Sequence, residues 1–114
     1  MIVDDSERFL AVAQVLLARD GLDVVATANT HQEALERAEE LQPDVVLVDV
    51  HLGDESGFDL TRRLVEDFPG LRSHVVLIST HDREDLSDLI ATSPAAGFLP
   101  KDQLSARAVR ELVD

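Results

Sequence analysis

The chain has 114 residues, 45% of them apolar, which suits one domain with a buried core and leaves no room for a second. Its 23 acidic residues against 10 basic ones give a net charge of −13, a sign that opposes a nucleic-acid backbone or an anionic membrane surface. With no cysteine, no apolar run near the roughly 20 residues of a membrane span and no signal peptide in Met1-Ile2-Val3, disulfide, thiolate and membrane roles are set aside and a cytoplasmic domain is expected.

Met1 to Val3 is apolar and stops at Asp4-Asp5, as a central strand followed by an acidic loop does. Only three residues precede Asp4, so this strand is expected to be clipped. From Ser6, Phe9, Val12, Ala13, Leu16 and Leu17 recur at helical spacing, and Gly21 stops the helix. Asp23 to Ala28 reads as a second strand. Thr30 and Glu33 have capping-box spacing, and a helix follows through Ala34, Leu35, Ala38 and Leu41. Pro43 ends that helix, and Val45-Val46-Leu47-Val48 is a strand with both faces buried that terminates in the carboxylate of Asp49.

His51 to Ser56 is expected to be a loop. A third helix runs through Phe58, Leu60, Thr61, Leu64, Val65 and Phe68 to Pro69-Gly70. His74 to Thr80 is another buried strand. A helix from about Arg83 to Ala91 has only Leu86, Leu89 and Ile90 as anchors and should be the least firmly packed element. Gly97 to Lys101 reads as the last strand, and Ser105 caps a final helix carrying Val109, Leu112 and Val113.

Five strands alternating with five helices predict an α/β domain over residues 1–114, a doubly wound parallel sheet with helices on both faces. Right-handed crossovers bring all strand ends of one sense to one edge. Asp4, Asp5, Asp49, Ser79 and Lys101 meet there. Carboxylates crowded at that edge repel one another unless a cation compensates, and oxygen ligands suit Mg²⁺, with Mn²⁺ as the alternative. Adding the ammonium of Lys101 and the hydroxyl of Ser79 makes a site suited to receiving a phosphoryl group on a carboxylate nucleophile.

Ile2-Val3-Asp4-Asp5, Val45 to Asp49, Gly57, Val76-Leu77-Ile78-Ser79 and Gly97 to Lys101 stand in order. The chain thereby resembles the response-regulator receiver domain of two-component signalling along its whole length. The intervals fit as well, 30 residues from Asp49 to Ser79 and 22 from there to Lys101. The resemblance implies a flavodoxin-like strand order of 2-1-3-4-5. It implies that Asp49 is the phosphoacceptor, taking its phosphoryl group from a sensor histidine kinase or a phosphotransfer protein. Asp5 and Asp49 would then ligate Mg²⁺ through their side chains, His51 through its backbone carbonyl, and Asp4 through water. Lys101 and Ser79 would hold the phosphate, Phe98 would be the switch aromatic, Thr80 would limit access, and His81 with His51 would tune phosphate lifetime. His31 and His74 receive no assignment.

Such a domain is no metabolic enzyme, since it assists only its own phosphorylation and dephosphorylation. A homodimer is a further implied partner, and transcription the implied output. Asp102 follows Lys101 where most of the family carry proline, which argues against a cis peptide bond and resembles the LuxR/NarL-type subfamily. Gly53-Asp54 replaces a proline common in the family, so the loop after Asp49 is expected to be more mobile. Two expectations stand for what lies after Asp114: an effector domain cut away there, or a stand-alone receiver. Two other functions compete. One is a Mg²⁺-dependent phosphohydrolase with an aspartate nucleophile, although His51 stands where such enzymes need a second acid. The other is a pseudo-receiver that binds its partner constitutively.

Overall fold

A computed structural model describes residues 1–113. The expected domain end, Asp114, lies outside the described residues. Five parallel strands form the sheet, namely β1 (Ile2–Val3), β2 (Thr27–Ala28), β3 (Val46–Asp49), β6 (Val75–Ser79) and β7 (Gly97–Pro100), in the order β2-β1-β3-β6-β7. Counted along the main sheet alone, this is the expected 2-1-3-4-5 order. Between β3 and β6 lies a separate hairpin, β4 (His51–Leu52) paired antiparallel with β5 (Glu55–Ser56). The helices are α1 (Glu7–Arg19), α2 (His31–Leu41), α3 (Gly57–Asp67), α4 (Ser87–Ala91) and α5 (Ala106–Val113).

Alternation along the strands sorts the core into two layers. Val46, Val48, Val75, Leu77 and Phe98 face α2 and α3, where Ala34, Ala38, Leu60 and Leu64 close over them. Ile2, Leu47, Val76, Ile78 and Leu99 face α1 and α5, against Leu10, Ala13, Leu17 and Val109. Burial of both faces explains why β3 and β6 read as near-continuous apolar runs.

Helix starts follow the sequence signals. Ser6 accepts the Phe9 N–H at α1, Thr30 the Glu33 N–H at α2, and Ser56 the Phe58 N–H at α3. At α2 the Glu33 carboxylate reaches back one residue further than a standard capping box, to the N–H of Asn29.

Three elements differ from expectation. The second strand is paired only at Thr27 and Ala28, because β1 offers it partners only at Ile2 and Val3. The segment 51–56, expected as an open loop, is the β4–β5 hairpin. Its two-residue Gly53-Asp54 turn has Gly53 at φ +60° and no positive φ at Asp54, the φ pattern of a II′ turn. The fourth helix is a five-residue α-helix after a 3₁₀ turn over Arg83–Leu86. None of its own residues is buried, and Leu86 in the turn anchors it.

Candidate functional site

The strand ends bring Asp4, Asp49 and Lys101 together and set Ser79 at the end of the neighbouring β6, on the edge that the topology predicts. Asp49 is the last residue of β3, only 5% exposed, and Asp4 just after β1 is fully buried. Asp5 is exposed at the rim. Each of the three carboxylates offers an oxygen within 4.8 Å of the others. Among the described residues no other acidic, histidine or cysteine group of this kind occurs.

Local structure fixes these groups. Asp4 Oδ1 accepts the Ser6 N–H at 2.8 Å, which turns the chain from β1 into α1, and Asn29 Nδ2 donates to the Asp4 carbonyl at 3.1 Å. The His51 N–H donates to Asp49 Oδ1 at 3.3 Å. Lys101 Nζ lies 2.6 Å from Asp4 Oδ2 and 3.4 Å from Asp49 Oδ2. The Lys101 ammonium also sits 4.4 Å from the centre of the Phe9 ring.

One ammonium does not balance three carboxylates. Lys101 is close to Asp4 Oδ2 but poorly aligned, so that buried oxygen has no well-directed hydrogen bond. Burial pushes the Asp49 carboxyl up from 3.8 to about 6; the charge of Asp4 adds to the push, while Lys101 and the His51 N–H oppose it. Clustered oxygens, one of them buried without a directed partner, are the donor set a hard divalent cation favours. The residues present therefore fit Mg²⁺.

The remaining predicted residues fall into two groups. Ser79 is fully buried, and its Oγ accepts the His81 N–H at 2.9 Å, so the hydroxyl is engaged with its own loop. Phe98 is 3% exposed and lies in the core beside Leu77. Thr80, His51 and His81 are exposed. The His51 and His81 rings touch, with centroids 4.9 Å apart and planes inclined by 60°.

Three supports escaped the sequence reading. A Cβ at Gly57 would lie 2.0 Å from the Asp49 carbonyl oxygen, so the start of α3 presses directly on the strand end that carries Asp49. Phe9 was legible only as an apolar helix position, not as the surface under Lys101. His31, left without a role, binds the hairpin: its N–H donates to Glu55 Oε1 at 3.1 Å, and its Nε2 lies 2.8 Å from the Ser56 carbonyl oxygen. The Gly53-Asp54 pair was the available signal for that hairpin.

Comparison with known proteins agrees with this architecture. Residues 1–113 match the family described as the response regulator receiver domain. The DNA-binding transcriptional activator DevR/DosR of Mycobacterium tuberculosis is 36% identical over 115 residues, covering 97% of this chain and 52% of that protein. The transcriptional regulatory protein LnrK of Bacillus subtilis is 32% identical over 114 residues, covering 99% and 51%. The chain thus spans about half the length of these curated relatives. Among solved structures, the receiver domain of the response regulator NarL from Mycobacterium tuberculosis superposes with a TM-score of 0.83 at 29% identity. That match covers 98% of this chain and 92% of the other.

Proposed function

The chain belongs to the response regulator receiver family, and on that footing we propose that Asp49 is its phosphoacceptor in a Mg²⁺-dependent reaction. The observation that carries this reading is the pocket itself, a buried carboxylate at the tip of β3 beside Asp4, Asp5 and Lys101. A carboxylate oxygen of Asp49 attacks the phosphorus of a phosphohistidine on a histidine kinase or phosphotransfer protein. The P–N bond breaks, its electron pair leaves with the imidazole, and an acyl phosphate remains.

Asp5 and Asp49 would hold Mg²⁺ by their carboxylates, His51 by its carbonyl and Asp4 through water. The ion's contribution is to neutralise charge on the phosphoryl oxygens. Lys101 supplies a further point charge, and it is already drawn toward Asp49 Oδ2. Ser79 leaves the His81 N–H to donate to a phosphoryl oxygen. Phe98 already lies inward, so on this reading the switch rests on Ser79 and its loop, and the aromatic fills space behind it.

The domain turns over no metabolite. Its output is transcriptional, a reading supported by relatives that are transcriptional regulators about twice its length. A homodimer and a cytoplasmic location complete the proposal; no described helix is long and apolar enough to cross a membrane. Beryllofluoride with Mg²⁺ tests the switch. Amide shifts at Ser79, His81 and Lys101 are expected, and a spectrum unchanged by saturating beryllofluoride would favour a constitutive binding module instead.

A further inference from the structure

Beside Asp49 and Ser79 stand two ligating side chains that the proposed phosphoryl transfer does not use. His51 opens the β4–β5 hairpin, and His81 lies in the loop after β6. Both are exposed, yet their rings meet with centroids 4.9 Å apart and planes inclined by 60°. A Zn²⁺ held at about 2.0–2.1 Å by two imidazole nitrogens at a near-tetrahedral angle sets their ring centroids about 5 Å apart. Two rings in plain contact also sit about 4.5–7 Å apart, so what favours an ion is the orientation of the ring nitrogens.

One ring is also oriented as metal-bound histidines commonly are, with its other nitrogen facing a polar partner. His81 Nδ1 lies 3.4 Å from Ser79 Oγ, which leaves Nε2 as the ligating atom. The same Ser79 Oγ accepts the His81 N–H. We propose that His51 and His81 form a binding site for a borderline divalent cation of the Zn²⁺ class, distinct from the carboxylate site, with water completing the coordination. Imidazole nitrogen suits such an ion and the carboxylate cluster suits Mg²⁺, so the two sites sort ions by donor chemistry.

The site joins the hairpin that follows Asp49 to the loop that follows Ser79. An ion there holds His81, and through it Ser79, in the arrangement seen here. Resting on the receiver reading, this makes the ion an antagonist of the switch, because Ser79 must leave His81 to reach a phosphoryl group. By linkage the antagonism is mutual.

The test is a calorimetric and NMR titration of the chain with Zn²⁺ in excess Mg²⁺. One equivalent is expected to bind, shifting the imidazole resonances of His51 and His81 and leaving those of His31 and His74 in place. His51→Gln and His81→Gln should each weaken binding by at least about tenfold, the scale on which even outer-shell changes act. His74→Gln should not. Absence of binding, or binding indifferent to both substitutions, overturns the site. With Zn²⁺ bound, beryllofluoride affinity should fall by the factor by which beryllofluoride lowers that of Zn²⁺. An unchanged affinity overturns the antagonism, whereas failure of beryllofluoride to bind without Zn²⁺ overturns the receiver reading and leaves the metal site standing.

Discussion

Lys101 Nζ stands between Asp4 and Asp49, 2.6 Å from an oxygen of the first and 3.4 Å from an oxygen of the second. The first contact is the shorter, and its acceptor is the fully buried carboxylate. Lys101 is therefore the counter-ion of Asp4 as well as the phosphate ligand proposed above. Replacing it by methionine keeps most of the stem and leaves Asp4 buried without its partner. Lys101→Met is expected to cost about 3 kcal/mol, the scale for breaking a buried pair from one side. Urea denaturation with and without Mg²⁺ checks this, and Mg²⁺ should recover part of the loss.

Asp49 carries the opposite liability. Its carboxyl is raised to about 6, chiefly by burial, so the folded state binds this proton more tightly than the unfolded chain does. Ionised Asp49 thus costs stability above about pH 6, and its contribution improves as pH falls toward the unfolded value of 3.8. In metal-free buffer Asp49→Asn should be more stable than the wild type by roughly 2 kcal/mol near pH 8 and nearly equal to it near pH 4. Saturating Mg²⁺ should reverse the order near pH 8, because it stabilises only the protein that binds it. Denaturation midpoints under the three conditions settle the sign.

Gly57 tests how tightly α3 is set against the site. Its hydrogen atom faces the Asp49 carbonyl, where a methyl group would lie 2.0 Å from the oxygen and 2.8 Å from Val50 Cα. Backbone cannot yield as a side chain can. Gly57→Ala is expected to destabilise by about 3 kcal/mol, the upper end of ordinary overpacking. It should also shift the amide resonances of Asp49 and Val50, where a simple loss of helix propensity would leave them in place.

The hairpin and α4 should differ in local stability. β4–β5 is tied to α2 through His31, with one bond to Glu55 and one contact to Ser56. α4 buries none of its own side chains. Hydrogen exchange should be fast over residues 82–93 and slower over 51–56, and His31→Ala should accelerate the second segment alone.

The sheet and the strand-end residues are legible in the sequence because two-sided burial writes β3 and β6 as apolar runs, each closed by one polar residue. Asp49 and Ser79 stand out for that reason. Asp5 and Lys101 follow from topology, since right-handed crossovers bring their strand ends to the same edge. What sequence reading misses depends on contacts between elements. Gly57 reads as a helix start until the Asp49 carbonyl is found against it. Phe9 reads as core until Lys101 lies over its ring. The edge strand is overestimated because Asp23 to Val25 has strand composition but no partner in β1, whose Ile2 N–H reaches only to the Ala26 carbonyl. The hairpin is missed because its strands are two residues each, too short for any period to show.

The central claim is that the charge crowded around Asp49 exists to receive a phosphoryl group. Incubation with acetyl phosphate and Mg²⁺, followed by mass measurement and peptide mapping, tests it most directly. One hydroxylamine-labile phosphoryl group on Asp49, absent without Mg²⁺ and absent in Asp49→Asn, is the expected result. Equal labelling of Asp49→Asn, or a label mapped to another residue of the wild type, would contradict it.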